Sequence, residues 1–396
     1  AQALRRQRRA IAVLSAVVVV VLGLFTFAYQ QRRVAEARLR DALAVSGRIT
    51  VLADRDKDPA TRRALLEASS ELLERLLRQT GDDSQVLYGQ VLYHQARGAL
   101  AWWYENSTLA YEEHAAAARI GERLVGREPG NREYRLALSK AYLGHARKAA
   151  ERAEPWPTSG QALTLAEGLL REDPDNNEYR LHLATIYHGM ADVDRTRGRV
   201  DLLRKALALQ EEAVRRGAPS TTRNSLAELH DKLGSALGAV GDLQSEEAEY
   251  RVALALREQL VAEEPTPHNR HELAGSHNYL GRRALRLGEP VLARTYFLSS
   301  LAQVKAVSDS NPKNLWYRSN LARTYMRLGE VEVRLADPAA LATLAQASAG
   351  FAELLARDPK NPEYGVLRGR CEQLRAQAQA YARNDVSSRE KRSIQR

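Results

Sequence analysis

Two apolar patterns divide the chain. From Ala10 to Tyr29 twenty residues pass without a charge, centred on the block Val17–Val21, and this run is apolar on every side. Beyond it the hydrophobic positions become periodic. Leu65, Leu66, Leu72, Leu73, Leu76 and Leu77 fall at helical steps between Pro59 and Arg78, which predicts an amphipathic helix there. A second pattern then recurs: Leu138-Ser139 with Tyr142, Leu183-Ala184 with Tyr187, Leu226-Ala227 with His230, Leu273-Ala274 with His277, and Leu321-Ala322 with Tyr325. In the last three a Leu-Gly pair follows, at Leu233-Gly234, Leu280-Gly281 and Leu328-Gly329. The offsets i, i+1, i+4, i+7 and i+8 place these side chains on one face of a helix. Long alternating Val/Ile/Thr stretches, the mark of half-buried strands, do not occur. The pattern predicts an all-α chain.

At ~1.5 Å per residue, residues 10–29 make a helix of ~30 Å, the thickness of a bilayer core, so a single transmembrane helix is expected there. Phe25-Thr26-Phe27-Ala28-Tyr29 reads as its aromatic interface belt. A cleavable signal peptide is the competing reading, but its apolar core is shorter and an A-x-A site follows it. Arg5, Arg6, Arg8 and Arg9 flank one end of the run and Arg32, Arg33, Arg38 and Arg40 the other, so basic flanks leave the orientation undecided. The expected address is a single-pass position in a bacterial inner membrane. The sequence opens on Ala1 rather than Met, and an upstream part is expected.

A turn motif sets the period of the remainder. Glu128-Pro129-Gly130-Asn131, Asp173-Pro174-Asp175-Asn176, Asn311-Pro312-Lys313-Asn314 and Asp358-Pro359-Lys360-Asn361 recur, with Pro219 and Pro265 in the two gaps. Successive prolines stand 45, 45, 46, 47 and 47 residues apart. Each Pro ends a helix and the following Asn is placed to cap the next. A fixed period of this length signals stacked helical units. Six helix pairs are expected between 84 and 360. The full division is a basic flank 1–9, the membrane helix 10–29, a stalk and N-terminal capping helices 30–83, repeats 84–360, a capping helix 361–383 and a disordered basic tail 384–396.

The segment Asn320-Leu321-Ala322-Arg323-Thr324-Tyr325 with Gly329 resembles the first helix of a tetratricopeptide (TPR) repeat. Ala293, Phe297 and Ser300 match the family's small-aromatic-small second helix, and Ala248, Val252, Ala255 and Ala340, Leu344, Ala347 are read as looser copies. The resemblance implies a right-handed helical-repeat solenoid of about six repeats. These units depart from the family's shorter repeat by about ten residues each.

Charge and chemistry narrow the function. The formal charge of +10 sits in the two tails, +7 in residues 1–40 and +3 in 382–396, so the body lacks the basic excess of a nucleic-acid binder. The single Cys371 excludes an intrachain disulfide. No phosphate-cradling loop, nucleophile elbow, H-E-x-x-H or kinase signature is present, which leaves catalysis to any domain upstream of Ala1. His268, His271 and His277 do not share a helical face and have no Cys beside them, so no metal and no cofactor is expected. His182 and His188 read as ordinary helix residues, and Trp102-Trp103-Tyr104 as a loop cluster that packs or faces a ligand.

What remains is binding. In the family resembled, first helices line a concave groove that holds a peptide or partner helix. Carried over, the sixth repeat presents Trp316, Ser319, Arg323, Met326 and Arg327, the fifth His268, His271 and Asn278, and the fourth Asn224, Glu228 and Lys232. The order of parts resembles the C-terminal half of bacterial signalling proteins in which a kinase, TIR, caspase-like or STAND NTPase domain precedes the membrane. That implies a membrane-anchored sensing or assembly scaffold for a protein ligand, with no nucleic-acid partner. The alternative is an envelope-assembly factor like the anchored TPR proteins of cytochrome or pilus biogenesis. An effector domain encoded upstream of Ala1 favours the first, and an immediate start codon the second. Either reading requires the array to fold without its membrane run. A fragment of residues 55–384 should be soluble and strongly helical by circular dichroism, and an appreciable β signal would sink both.

Overall fold

At each recurrent Pro motif the chain turns by the same hydrogen bonds. The amide of the motif's Asn donates to the carbonyl three residues back, Asn131 to Glu128, Asn176 to Asp173, Asn314 to Asn311 and Asn361 to Asp358, at 3.0–3.3 Å. The Asn side chain then accepts from the first free amides of the next helix: Glu133 and Tyr134, Glu178 and Tyr179, Trp316 and Tyr317, and Glu363. Pro presets the turn's φ and Asn satisfies amides that would otherwise be orphaned, each cap contributing about 1 kcal/mol. Where the motif lapses after Pro265, the Thr266 hydroxyl takes over and accepts from Asn269.

These caps begin and end the helices of a computed structural model that describes residues 59–394 apart from 81, 105–106, 152–156, 195, 197, 220 and 360, together with 44 and 47. Fourteen helices lie in the described residues, and no strand. They are α1 (Pro59–Thr80), α2 (Ser84–Tyr104), α3 (Ser107–Arg127), α4 (Arg132–Glu151), α5 (Pro157–Glu172), α6 (Asn177–Val193) and α7 (Gly198–Arg215). Then follow α8 (Thr221–Ala239), α9 (Leu243–Glu263), α10 (Pro267–Arg286), α11 (Pro290–Ser310), α12 (Leu315–Arg334), α13 (Ala340–Arg357) and α14 (Pro362–Ile394). Twelve helices, α2 to α13, follow one another between α1 and α14, and packing within successive couples is seen for α2/α3, α4/α5, α8/α9, α10/α11 and α12/α13. The chain divides into two compact units after Gly189, within α6.

In the N-terminal unit α1 packs on α2 through Leu66 and Leu100. The His114 ring of α3 fills the space left by two glycines: a Cβ on Gly98 of α2 or Gly144 of α4 would stand 2.5–2.9 Å from it. Tyr142 and Tyr187 each donate from the phenol to a glutamate of the preceding helix, Glu122 at 2.7 Å and Glu167 at 2.8 Å.

In the C-terminal unit α8 packs on α9, α10 on α11, and α12 on α13. The Leu-Gly pairs do what the pattern expects. A Cβ on Gly234 would lie 2.9 Å from the Tyr250 ring, one on Gly281 2.8 Å from Phe297, and one on Gly329 2.5 Å from Leu344. Ala293, Phe297 and Ser300, and likewise Ala340, Leu344 and Ala347, are fully buried. Cys371 is buried in the cluster of Ala322, Ala347, Phe351, Leu354 and Tyr364, and burial pushes its thiol up to about 11.

Several expectations need correcting. Ala248, Val252 and Ala255 are exposed; the inward face of α9 is Glu246, Tyr250 and Ala253, two residues out of the register read from the sequence. The cause is a buried carboxylate in a position expected to be small. Glu246, 1 % exposed, pairs with Arg283 and Arg286 of α10, and Gly238 leaves room for its carboxylate. Leu321 is only half-buried. Helix α14 runs to Ile394 through most of the stretch expected as a disordered tail, since no Gly or Pro follows Gly369 and helix propagation is easier than nucleation. The membrane helix 10–29, almost all of the stalk before Pro59, and the side chains of Trp102, Trp103 and Tyr104 lie outside the described residues. No described helix is long and apolar enough to cross a membrane.

Three helices end on a glycine with positive φ, at Gly217, Gly241 and Gly288 (+78°, +88° and +77°), in each case with the amide of the next residue returning to a carbonyl five residues before it. Helix α12 ends the same way on Ala336, at φ +52°. A Cβ in that region is strained by ~1–2 kcal/mol, against a smaller entropic loss for glycine. Ala336→Gly is therefore expected to raise stability by roughly 0.5–1 kcal/mol in urea denaturation. A loss of stability would show that the site tolerates the methyl without strain.

Candidate binding groove

The helices that open the last three pairs, α8, α10 and α12, use one face to meet their partners. Their remaining side chains enclose two cavities within the C-terminal unit. The first, of about 190 Å³, lies between α10 and α12. His271, Gly275, Asn278, Tyr279 and Arg282 line it from α10, and Asn320, Arg323, Thr324 and Arg327 from α12. Three guanidinium groups and no carboxylate border this space.

Arg323 is anchored. One guanidinium nitrogen meets Glu363 of α14 at 2.7 Å, and Nε donates to Ser319 Oγ at 3.3 Å. Among the described residues, Arg282 and Arg327 have no carboxylate within ion-pair distance. Burial, then the neighbouring Arg282 and Arg323, hold the Arg327 guanidinium below its usual range. It stays charged at any physiological pH, so the like-charge cluster persists. Asn278 donates to Ala274 O at 3.0 Å and Ser300 Oγ at 2.8 Å, which leaves its Oδ1 buried without a partner. His271 Nδ1 is likewise unpartnered, and burial lowers the ring's pKa, so the imidazole is neutral near pH 7. Over this ring stands Trp316, with centroids 4.0 Å apart and more than half of the Trp residue exposed.

The second cavity, of about 390 Å³, lies between α8 and α10. Glu228, Glu264 and Glu272 border it, and no Lys or Arg does. Asn224 and Asn269 join its walls, amide to carbonyl, at 3.1 Å. Asn269 also donates to Glu264 O at 2.8 Å. Glu272 reaches the buried Arg257 at 3.4 Å, and Glu228 reaches Lys232 at 3.6 Å. The two cavities therefore carry opposite charge, basic on one side of α10 and acidic on the other.

Of the residues chosen from sequence, Arg323, Arg327, His271 and Asn278 line the first cavity, with Trp316 against His271, while Asn224, Glu228 and His268 line the second. Three fall elsewhere. Ser319 is buried, Met326 packs into the core between α13 and α14, and Lys232 is tied to Asp192 at 2.8 Å. Arg282, Tyr279, Asn320, Glu264 and Glu272 were missed. Arg282 was legible, one helical turn beyond Asn278 on the same face. His277 stacks loosely on Tyr296, centroids 6.4 Å apart, and among the described residues no three His, Cys, Asp or Glu side chains converge as metal ligands do.

The overall arrangement has counterparts among solved structures. The apo form of RapI superposes with a TM-score of 0.52 at 14% identity, over 87% of this chain and 86% of that one. A thermophilic TPR protein from Thermus thermophilus gives 0.32 at 23% identity, covering 58% and 98%, and yeast Tom70 gives 0.42 at 13%, covering 81% and 61%. No family model matches the sequence, and no curated protein matches it. At such identities the likeness speaks for fold alone, and the fold is a TPR-like helical repeat.

In the N-terminal unit, the buried His182 meets the Ser139 hydroxyl at 2.8 Å and is held neutral by burial, its pKa lowered to about 4 from 6.5. Between those values the unfolded chain binds a proton that the folded chain refuses, so stability falls as pH falls. The loss from pH 7 to pH 4.5 should be roughly 2–3 kcal/mol larger in wild type than in His182→Gln. Equal urea denaturation slopes against pH in the two proteins would show that His182 is protonated in the fold.

Proposed function

We propose that this chain is a protein-binding scaffold that seats a partner segment along α8, α10 and α12. Its run of twenty uncharged residues, 10–29, would hold it at a membrane as the sensing or assembly module of a bacterial signalling protein. The observation that carries the binding reading is the convergence of polar and aromatic side chains from three first helices, α8, α10 and α12, on two cavities that share α10 as a wall. An exposed Trp against His271, which lines the cavity that three guanidinium groups border, has the make-up of an interface hot spot.

A photo-crosslinking residue placed at Asn224 or Asn320, on the groove, should give discrete protein adducts in the native cell. The same residue at Val252 or Leu298, exposed on second helices, should not. Combined Ala substitution of Trp316, Arg323 and Arg327 should cut the adducts about ten-fold or more with helicity intact. Equal adducts from all four positions, or none from the groove, would overturn the reading.

A further inference from the structure

The two ends of the groove differ in the sign of their charge, and neither end is neutralised from within its own lining. Resting on the groove reading above, we propose that the partner segment is an extended peptide of split charge: an oxyanion group lodges between α10 and α12 among Arg282, Arg323 and Arg327, and a cationic side chain lodges between α8 and α10 beside Glu228, Glu264 and Glu272.

Three observations carry this. First, like charges are gathered where fold stability alone would separate them. Arg327 is only partly exposed, borders two other guanidinium groups and has no carboxylate within ion-pair distance among the described residues. Such a cluster raises the free energy of the empty groove, and an entering oxyanion lowers it. Guanidinium groups offer paired N–H donors that match the two oxygens of a carboxylate or the three of a phosphate monoester. Second, the basic cavity holds an unmet polar atom besides charge, the buried Nδ1 of His271, which donates to an oxyanion in the tautomer that carries its proton there, whereas the buried Asn278 Oδ1 is an acceptor and takes an N–H or hydroxyl of the ligand. Third, the two cavities share α10 as a wall. His268 and Glu272 line one side of α10, and His271 to Arg282 the other. From His268 to Arg282 the helix rises ~21 Å, which an extended chain spans in about six residues. Arg323 and Arg327 stand one helical turn apart on α12 and Arg282 lines the same cavity from α10, so a chain lying between the two helices meets guanidinium donors on both sides.

The test is calorimetric titration of the full chain, in detergent, with Gly/Ser peptides of about eight residues bearing one charged residue near each end. Glu/Lys, Glu/Glu and Lys/Lys sets are compared, with the Glu/Lys pair in both orders. A parallel arm replaces Glu by phosphoserine to distinguish a carboxylate from a phosphate source. One order of the Glu/Lys or phosphoserine/Lys peptide should bind about ten-fold more tightly than either like-charged set at low salt, with the margin shrinking as salt is added. Arg327→Glu should reverse the preference at that end, so that the Lys/Lys peptide gains what the Glu/Lys peptide loses. Arg282→Glu, at an exposed position, should act the same way if the first variant folds poorly. Equal affinities across the set, no binding by any peptide, or a preference untouched by both variants would overturn the proposal. The groove reading is judged separately, by the adducts at positions 224 and 320.

Discussion

The contact on which this architecture depends is the one between packed helices where a missing Cβ admits a ring or a branched side chain, inside the first pair and each of the last three. Gly234, Gly281 and Gly329 stand opposite Tyr250, Phe297 and Leu344, and Gly98 and Gly144 enclose His114. Any larger residue would push the two axes apart by more than van der Waals contact permits, and a packed interior cannot take up that shift smoothly. The close approach falls in the last third of the first helix and the first half of the second, and it fixes which face of the first helix is spent on its partner. The opposite face of α8, α10 and α12 is left uncommitted. The groove is thus a consequence of where the glycines lie.

Apolar contacts hold each pair, while buried ions join α8 and α9 to α10. Arg257 of α9 bonds Asp231 of α8 and Ser276 of α10, with both charged residues under 5 % exposed. Burial pushes the Asp231 carboxyl up to about 6 even with the guanidinium beside it. Glu246 of α9 reaches Arg283 and Arg286 of α10 in the same way. Ion pairs removed from water add little net stability over a well-packed apolar contact, but they penalise any misalignment that separates them. Their effect here is to fix the angular register of α10. That register decides which of its side chains face the acidic cavity and which the basic one.

Much of this was legible in the sequence because it depends on local chemistry. The Pro–x–Asn turns announce both the end of one helix and the cap of the next, and the Leu-Gly pairs mark close approaches directly. The helix order and the packing of the last three couples follow from those signals. The register of α9 was not legible, because its inward face begins on Glu246, and a carboxylate reads as solvent-facing until the arginines one helix away are known. Met326 failed for a related reason. Spacing assigns it to the same helix face as Arg323, but the side chain bends toward α13 and α14, whose positions no local pattern states. The separation of charge between the two cavities was also hidden. Summed over one helix the groove residues look mixed, and only the pairing of α10 with a different neighbour on each side sorts the signs.

That sorting bears on how such a surface discriminates. A uniformly charged groove attracts any opposite polyion and is weakened by salt along its whole length. Opposed charge at two ends leaves little net field at a distance, so it contributes less to the rate of encounter than to selection after contact. A ligand with the wrong sign at either end meets a repulsive group at short range, where solvent screens it least. The partly buried Arg327 sharpens this effect more than the exposed Arg282 does. A charge already stripped of part of its water loses less on binding a correct partner and repels a wrong one more strongly. Selectivity in this groove is therefore expected to rest on Arg327, which is partly buried among Tyr279, Arg282 and Arg323.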